Sequence, residues 1–216
     1  AMFMALGLVS GILHARASGQ GQVVDAAITD GCAVMSTLLH GLRSQRLWLD
    51  RRQSNALDGG AHWYDCYQCA DGEWVSVGAL EPQFYQLLLQ KCGITGEGLE
   101  QAQFDVANWP RHKRRFEELF RTKTRAEWCD LLEGTDVCFA PVLSFAEAQA
   151  HPHNRARQAY VEVDGVVQPA PAPRFSATPA EVREPAAAIG AHGRALLEGA
   201  GYGAEEIAAL AAAGVV

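Results

Sequence analysis

The sequence predicts a mixed α/β protein, and three observations carry that reading. Two strand-like runs, residues 63–69 and 74–78, flank Ala70-Asp71-Gly72, and Asp-Gly is a strong hairpin turn. Behind them Phe84, Leu87, Leu88 and Cys92 recur at helical spacing after Pro82, a residue suited to a helix's first turn. Two capping boxes, Thr124-Arg125-Ala126-Glu127 and Ser144-Phe145-Ala146-Glu147, then open further helices between strand-like runs. At 216 residues, 49% hydrophobic and 20% charged, the chain is able to bury one core or two small ones.

Taken in order, residues 1–13 are apolar on every face of a helix, yet too short to span a bilayer and without leading basic residues. They read as a core helix whose surroundings lie elsewhere. Arg16, Ser18, Gly19 and Gly21 break the pattern, with Gly19 able to supply a left-handed stop. Residues 22–27 read as a short buried strand. Residues 28–42 read as a second apolar helix with Val34, Met35, Leu38, Leu39 and Leu42 on or near one stripe. A polar stretch, residues 43–60, leads to the hairpin.

After the helix at Pro82, the pattern predicts a helix over 109–120, another from Thr124 carrying Trp128, Leu131 and Leu132, and a strand over 137–142. The second capping box opens a short helix that His151-Pro152 closes. Residues 161–163 and 166–167 then flank another Asp-Gly turn. Pro169-Ala170-Pro171-Ala172-Pro173 cannot join a central strand and reads as an extended strap. Two short helices, about 191–198 and 204–212, end the chain around the glycine-rich residues 199–203.

A net charge of −7 argues against a nucleic-acid or anionic-membrane surface, because both ask for a basic face. The two basic runs, residues 43–52 with four arginines and Arg111-His112-Lys113-Arg114-Arg115, are either solvated helix faces or contacts for a nucleotide's phosphates. Six cysteines scattered among apolar neighbours read as reduced, buried thiols of a cytoplasmic protein. Cys66 and Cys69 have the spacing of a redox or zinc pair, but residues three apart in a strand face opposite sides. His151-Pro152-His153-Asn154 reads as a turn rather than half a metal site. No phosphate-binding glycine loop and no serine nucleophile elbow is present. Glu81 stands at a strand-to-helix junction, where the helix dipole favours its charge; it is either a plain N-cap or a functional acid.

Several separated stretches, in order, carry a resemblance over nearly the whole chain. They are residues 1–13 with Gly19-Gln20-Gly21-Gln22-Val23-Val24-Asp25-Ala26, then Leu57-Asp58-Gly59-Gly60 with Trp63-Tyr64, then Ala70-Asp71-Gly72-Glu73. Val77-Gly78-Ala79-Leu80-Glu81-Pro82-Gln83-Phe84-Tyr85, Ala126-Glu127-Trp128-Cys129, Gly134-Thr135-Asp136-Val137-Cys138, Ala140-Pro141-Val142-Leu143, His151-Pro152-His153-Asn154 and Pro171-Ala172-Pro173-Arg174-Phe175-Ser176 follow. In these the chain resembles the 2-methylacyl-CoA racemases of the family III CoA-transferase superfamily.

The resemblance implies an α/β fold in which an α+β small domain accompanies the remnants of a Rossmann-like large domain. Residues 1–50 would be helices and strand of the large-domain core with a linker, residues 51–168 the small domain, and residues 169–216 a returning strap with helices that pack on the large domain. It also implies an interlocked homodimer whose active sites lie between one chain's large domain and the other's small domain.

The implied reaction exchanges the proton on C2 of a 2-methylacyl-CoA through an enolate, with no metal and no cofactor beyond the coenzyme A of the substrate. The family's acid and base, a histidine and an aspartate, lie upstream of the matching helix, so residues 1–216 by themselves are expected to be inactive. Glu81 carries over as the acid that reaches the partner's histidine, Tyr64 as an aromatic lining the acyl site, and Asp58 and Asn55 as neighbours shaping the same cleft. Asp25 is expected to be structural, in a buried turn. Two alternatives stay open: CoA transfer between carboxylic acids by an upstream aspartate nucleophile, or a naturally truncated, non-catalytic oligomerising protein starting at Met2.

Overall fold

The antiparallel hairpin expected around Asp71-Gly72 forms, with a wider loop than a two-residue turn: Cys69 N–H donates to Glu73 O at 2.7 Å, and Gly72 turns the chain at φ 86°. A computed structural model describes all residues 1–216 and divides them into two units, Ala1–Val142 and Leu143–Val216.

In the first unit, helix α1 spans Met2–Ser18 and stops where Gly19, at φ 76°, donates to Ala15 O. Its glycines have a use: a Cβ at Gly7 would sit 2.7 Å from Val24 Cγ1, so only glycine lets that segment lie against the helix. The segment is not the strand expected over 22–27. It is extended without any ladder partner, and Val23 is 95% exposed; Asp25, expected in a buried turn, is exposed as well. The long helix expected over 28–42 is broken into α2 (Ile28–Met35) and α3 (Thr37–Ser44). The break has a local cause: Ser36 Oγ and Thr37 Oγ1 donate back to Ala33 O and Val34 O, at 2.8 and 2.6 Å, competing with the helix ladder.

Strands β1 (Tyr64–Gln68), β2 (Trp74–Gly78) and β3 (Phe139–Pro141) form one antiparallel sheet, in the order β1-β2-β3. Alternation sends Tyr67, Val75 and Val77 inward. Helices α4 (Pro82–Cys92), α5 (Trp109–Phe120) and α6 (Arg125–Leu132) cover that face with residues at helical spacing: Tyr85, Leu88 and Leu89 from the first, Trp109, Phe116, Leu119 and Phe120 from the second, Trp128 and Leu132 from the third. The capping box at Thr124 is formed as expected. The expected strand over 137–142 begins only after Cys138, whose φ of 53° breaks the extended run.

Phe120 is the hub of this core. It stacks on Tyr67 at 5.1 Å between ring centroids and meets Trp128 edge-on at 5.0 Å, while Trp128 Nε1 donates to the Phe120 carbonyl at 2.9 Å. Truncating it to alanine removes these contacts and a third with Phe116 at 6.2 Å, and leaves a cavity among aromatics. Phe120→Ala is therefore expected to destabilise by about 3–5 kcal/mol, read by urea unfolding; a loss near that of an exposed site would contradict the packing.

The second unit holds α7 (Phe145–Ala150), opened by the Ser144 capping box, and α8 (Pro152–Ala156). His151-Pro152 thus ends one helix and begins another. Strands β4 (Tyr160–Val163) and β5 (Val166–Pro169) pair through Asp164 and Gly165, both at positive φ, as a type I′ turn requires. Pro169 closes the ribbon at Tyr160, where an edge tolerates its missing N–H. Helices α9 (Gly193–Gly199) and α10 (Ala204–Ala212) follow. No helix of the chain is long and apolar enough to cross a membrane.

The cysteines depart from expectation. Only Cys69 is buried; Cys92 and Cys129 are half-buried, and Cys32, Cys66 and Cys138 are exposed. Strand alternation places Cys66 on the outer face of β1, away from Cys69, so the pair does not form a dithiol site.

Candidate active site

The loop before β1 is built around two side chains. Asn55, 4% exposed, accepts the Leu49 N–H at 2.7 Å and donates to Leu49 O at 3.0 Å and to Asp58 Oδ2 at 2.7 Å. Asp58 in turn accepts the amides of Asn55 at 2.8 Å and Gly60 at 3.1 Å. Burial pushes the Asp58 carboxyl pKa up, but the donors of Asn55, Ser54 and Gly60 outweigh it and hold the group below its ordinary value. Gly60 is required here, since a Cβ would meet the Asn55 main chain at 2.7–2.8 Å. Asn55 and Asp58 are thus the loop's internal clasp, with most of their bonding capacity spent.

That loop forms one wall of a cleft of about 530 Å³. Asp58 and Gly59 lie on one side, Tyr64, Cys66, Ser76 and Gly78 of the outer sheet face form the floor, and Cys138 to Ala140 lie opposite. Tyr64, 38% exposed, pairs across β1 and β2 with Gly78, and a Cβ there would be 3.5 Å from Tyr64 Cε2, an ordinary contact distance. A second hollow, of about 670 Å³, is bounded by residues 48–53 together with Asn55 and Asp58.

Glu81 is the N-cap residue of α4, but its carboxylate makes no capping hydrogen bond and is exposed. Pro82 at the first helical position has no N–H, which leaves this helix end one donor fewer to satisfy. Glu81 does not line the cleft, yet it is near enough that its charge, after burial, helps push the Cys138 thiol pKa up. An uncommitted carboxylate therefore stands beside a cleft floored by Tyr64.

The basic run on α5 is divided by use. Lys113 forms an ion pair with Asp65 and donates to Gly59 O at 2.6 Å, tying the helix to the cleft wall. Arg115 makes a two-pronged pair with Glu97, both contacts at 2.7 Å. His112 is buried. In the other run Arg43 pairs with Asp50 at 2.9 Å.

Beneath the cleft lies a buried polar group that sequence patterns gave no sign of. Tyr85 O–H donates to Leu99 O at 3.1 Å, so His62, 0% exposed, must donate from Nε2 to Tyr85 at 2.8 Å. Arg111 donates to His112 Nε2 at 3.1 Å, which puts the His112 proton on Nδ1. The two rings meet edge-on at 5.0 Å, and neither Nδ1 has a partner. Burial, then repulsion from His112, brings the His62 pKa down to about 3; burial and Arg111 lower that of His112.

An α+β unit with an open-faced three-stranded sheet, a Leu-Asp-Gly-Gly loop and an acid at the following strand-to-helix junction defines a class, and the comparisons agree with it. The chain belongs to CoA-transferase family III: the family model matches residues 1–193. It is 42% identical to alpha-methylacyl-CoA racemase of Mus musculus over 211 residues, and 40% identical to that of Homo sapiens over 210, each match covering 95% of this chain and 54% of the relative. The chain thus spans about half the length of the curated relatives it matches. A succinyl-CoA–D-citramalate CoA-transferase of Chloroflexus aurantiacus is 27% identical over 213 residues, covering 90% of this chain and 50% of the relative. A CAIB/BAIF family protein of known structure from Brucella suis superposes with a TM-score of 0.69 at 18% identity, over 90% of this chain and 52% of that one, which shows the shared fold.

Proposed function

We propose that this chain is part of a 2-methylacyl-CoA racemase, the small domain with the large-domain segments that flank it. The observation that carries the reading is the uncommitted Glu81 carboxylate beside the Tyr64 cleft, in a chain 40–42% identical to racemases over 95% of its length. In the proposed reaction a base removes the proton on C2, and the electron pair moves into the thioester carbonyl as an enolate. An acid on the opposite face then returns a proton to C2, inverting the centre. The histidine and aspartate of that step have no counterpart in residues 1–216, so these residues by themselves are expected to give no exchange.

Glu81 faces the histidine of a partner chain and stabilises its charged form, Tyr64 bounds the acyl group, and the Asn55–Asp58 clasp sets the shape of the cleft wall. The substrate is an acyl-CoA, no further cofactor is needed, and the working form is an interlocked homodimer in the cytoplasm. Association is supported by α1, on which Met2, Leu6, Val9 and Leu13 are 66–79% exposed.

CoA transfer between carboxylic acids is the second reading, favoured by the 27% identical transferase. The two are separated by giving the full-length gene product a 2-methylacyl-CoA in heavy water together with a free carboxylic acid. A racemase incorporates one deuterium at C2 and leaves CoA where it was. A transferase moves CoA to the acid with no label at C2.

A further inference from the structure

The position of Glu81 is set by a connector that the sheet does not hold. β2 ends at Gly78, and only Ala79 and Leu80 separate it from the N-cap of α4. Ala79 N–H donates to Trp63 O at 3.0 Å, and Leu80 N–H closes a tight turn onto Gly78 O at 2.8 Å. Their two carbonyls both accept from one side chain, Gln103 Nε2, at 3.1 and 2.8 Å. Gln103 is 4% exposed and lies on a separate loop. Its own carbonyl accepts the indole N–H groups of Trp63 and Trp109, each at 2.8 Å. One residue therefore fixes the connector to Glu81 with its side chain and, with its main chain, anchors the tryptophan that precedes Tyr64.

The chemistry of the clamp is specific. Two carbonyls held by one nitrogen need two N–H groups without a buried charge, which a primary amide provides and an ammonium does not. Asparagine has the amide but is one methylene short. From this geometry, and resting on the proton-exchange reading above, we infer that Gln103 is the residue that positions Glu81 for reaction.

Gln103→Met keeps the side-chain volume and leaves the carbonyl free for both indoles, while removing both donors. In the full-length gene product its kcat for C2 exchange is expected to fall about tenfold or more with KM within about twofold, because the clamp acts on the reacting groups and not on substrate affinity. The decisive comparison is the double variant with Glu81→Gln: if Gln103 acts through Glu81, the double variant is no slower than Glu81→Gln alone. Where the methionine variant does not fold, Gln103→Asn, which keeps the amide but loses the reach, is expected to behave the same way. Losses that multiply in the double variant, or a Gln103→Met enzyme as fast as wild type, would overturn the inference while leaving the proposed reaction standing. A folded wild-type protein with no exchange would remove the reaction and the inference together.

Discussion

Glu81→Gln in the full-length gene product is expected to slow deuterium incorporation at C2 of a 2-methylacyl-CoA by about a hundredfold, because the partner's histidine loses the charge that stabilises its protonated form and with it most of a proton-transfer group's contribution. The fold should not change. Glu81 is exposed and its carboxylate makes no capping bond, so glutamine removes a charge without emptying a cavity or orphaning a donor. What holds the position is main chain: the amides of Phe84 and Tyr85 donate to Glu81 O at 3.0 and 3.1 Å, and Gln103 clamps the two residues before it. The thermal midpoint is accordingly expected to stay within about 2 °C of wild type. The opposite pattern, unchanged exchange with a lowered midpoint, would make Glu81 a plain helix N-cap.

The second large effect is on stability against pH. His62 is buried and its pKa stands near 3, against 6.5 when unfolded, so the unfolded chain binds a proton below pH 6.5 that the folded chain refuses. The stability it contributes is complete above pH 6.5 and is lost as pH falls toward 3. The slope is about 1.4 kcal/mol per pH unit, so roughly 2–3 kcal/mol disappears between about pH 6.5 and 4.5. His112 shifts in the same direction and steepens the loss. The carboxylates with lowered pKa, Asp58, Glu97, Glu100 and Glu127, give up their contributions only at more acid pH, which isolates the histidines in that window. Urea unfolding at about pH 7, 6 and 5 measures the slope. His62→Phe, which keeps a ring in the site and leaves the Tyr67 bond to the His62 main-chain carbonyl in place, should flatten it. A wild-type protein equally stable across those pH values would contradict the buried neutral pair.

What was legible in the sequence is what local chemistry decides. Pro82, the capping boxes at Thr124 and Ser144 and the two Asp-Gly turns each announce an element within four or five residues, and each element is there. Residues 22–27 misled because a strand needs a partner, and apolar residues with none remain extended coil. The helix over 28–42 misled because Ser36 and Thr37 bond their own backbone, a competition that hydrophobic periodicity does not register. Cysteine burial failed at Cys66 for want of the strand's phase.

The site divides along the same line. Glu81 was visible as an acid at a strand-to-helix junction, and its proposed role came from resemblance. Asp58 lines the Tyr64 cleft and Asn55 does not, and the two form a self-bonded clasp. Gln103, His62 and His112 were not visible, because their meaning depends on partners brought from other elements of the fold, and no spacing along the chain encodes that.

The central claim is epimerisation at C2, and single epimers test it. The full-length gene product is incubated in heavy water with either (2R)- or (2S)-2-methylacyl-CoA, and configuration and label are followed together. The account predicts that both converge on the same mixture of epimers, with one deuterium at C2. Retention of each starting configuration, with CoA intact or passed to an added carboxylic acid, would contradict it.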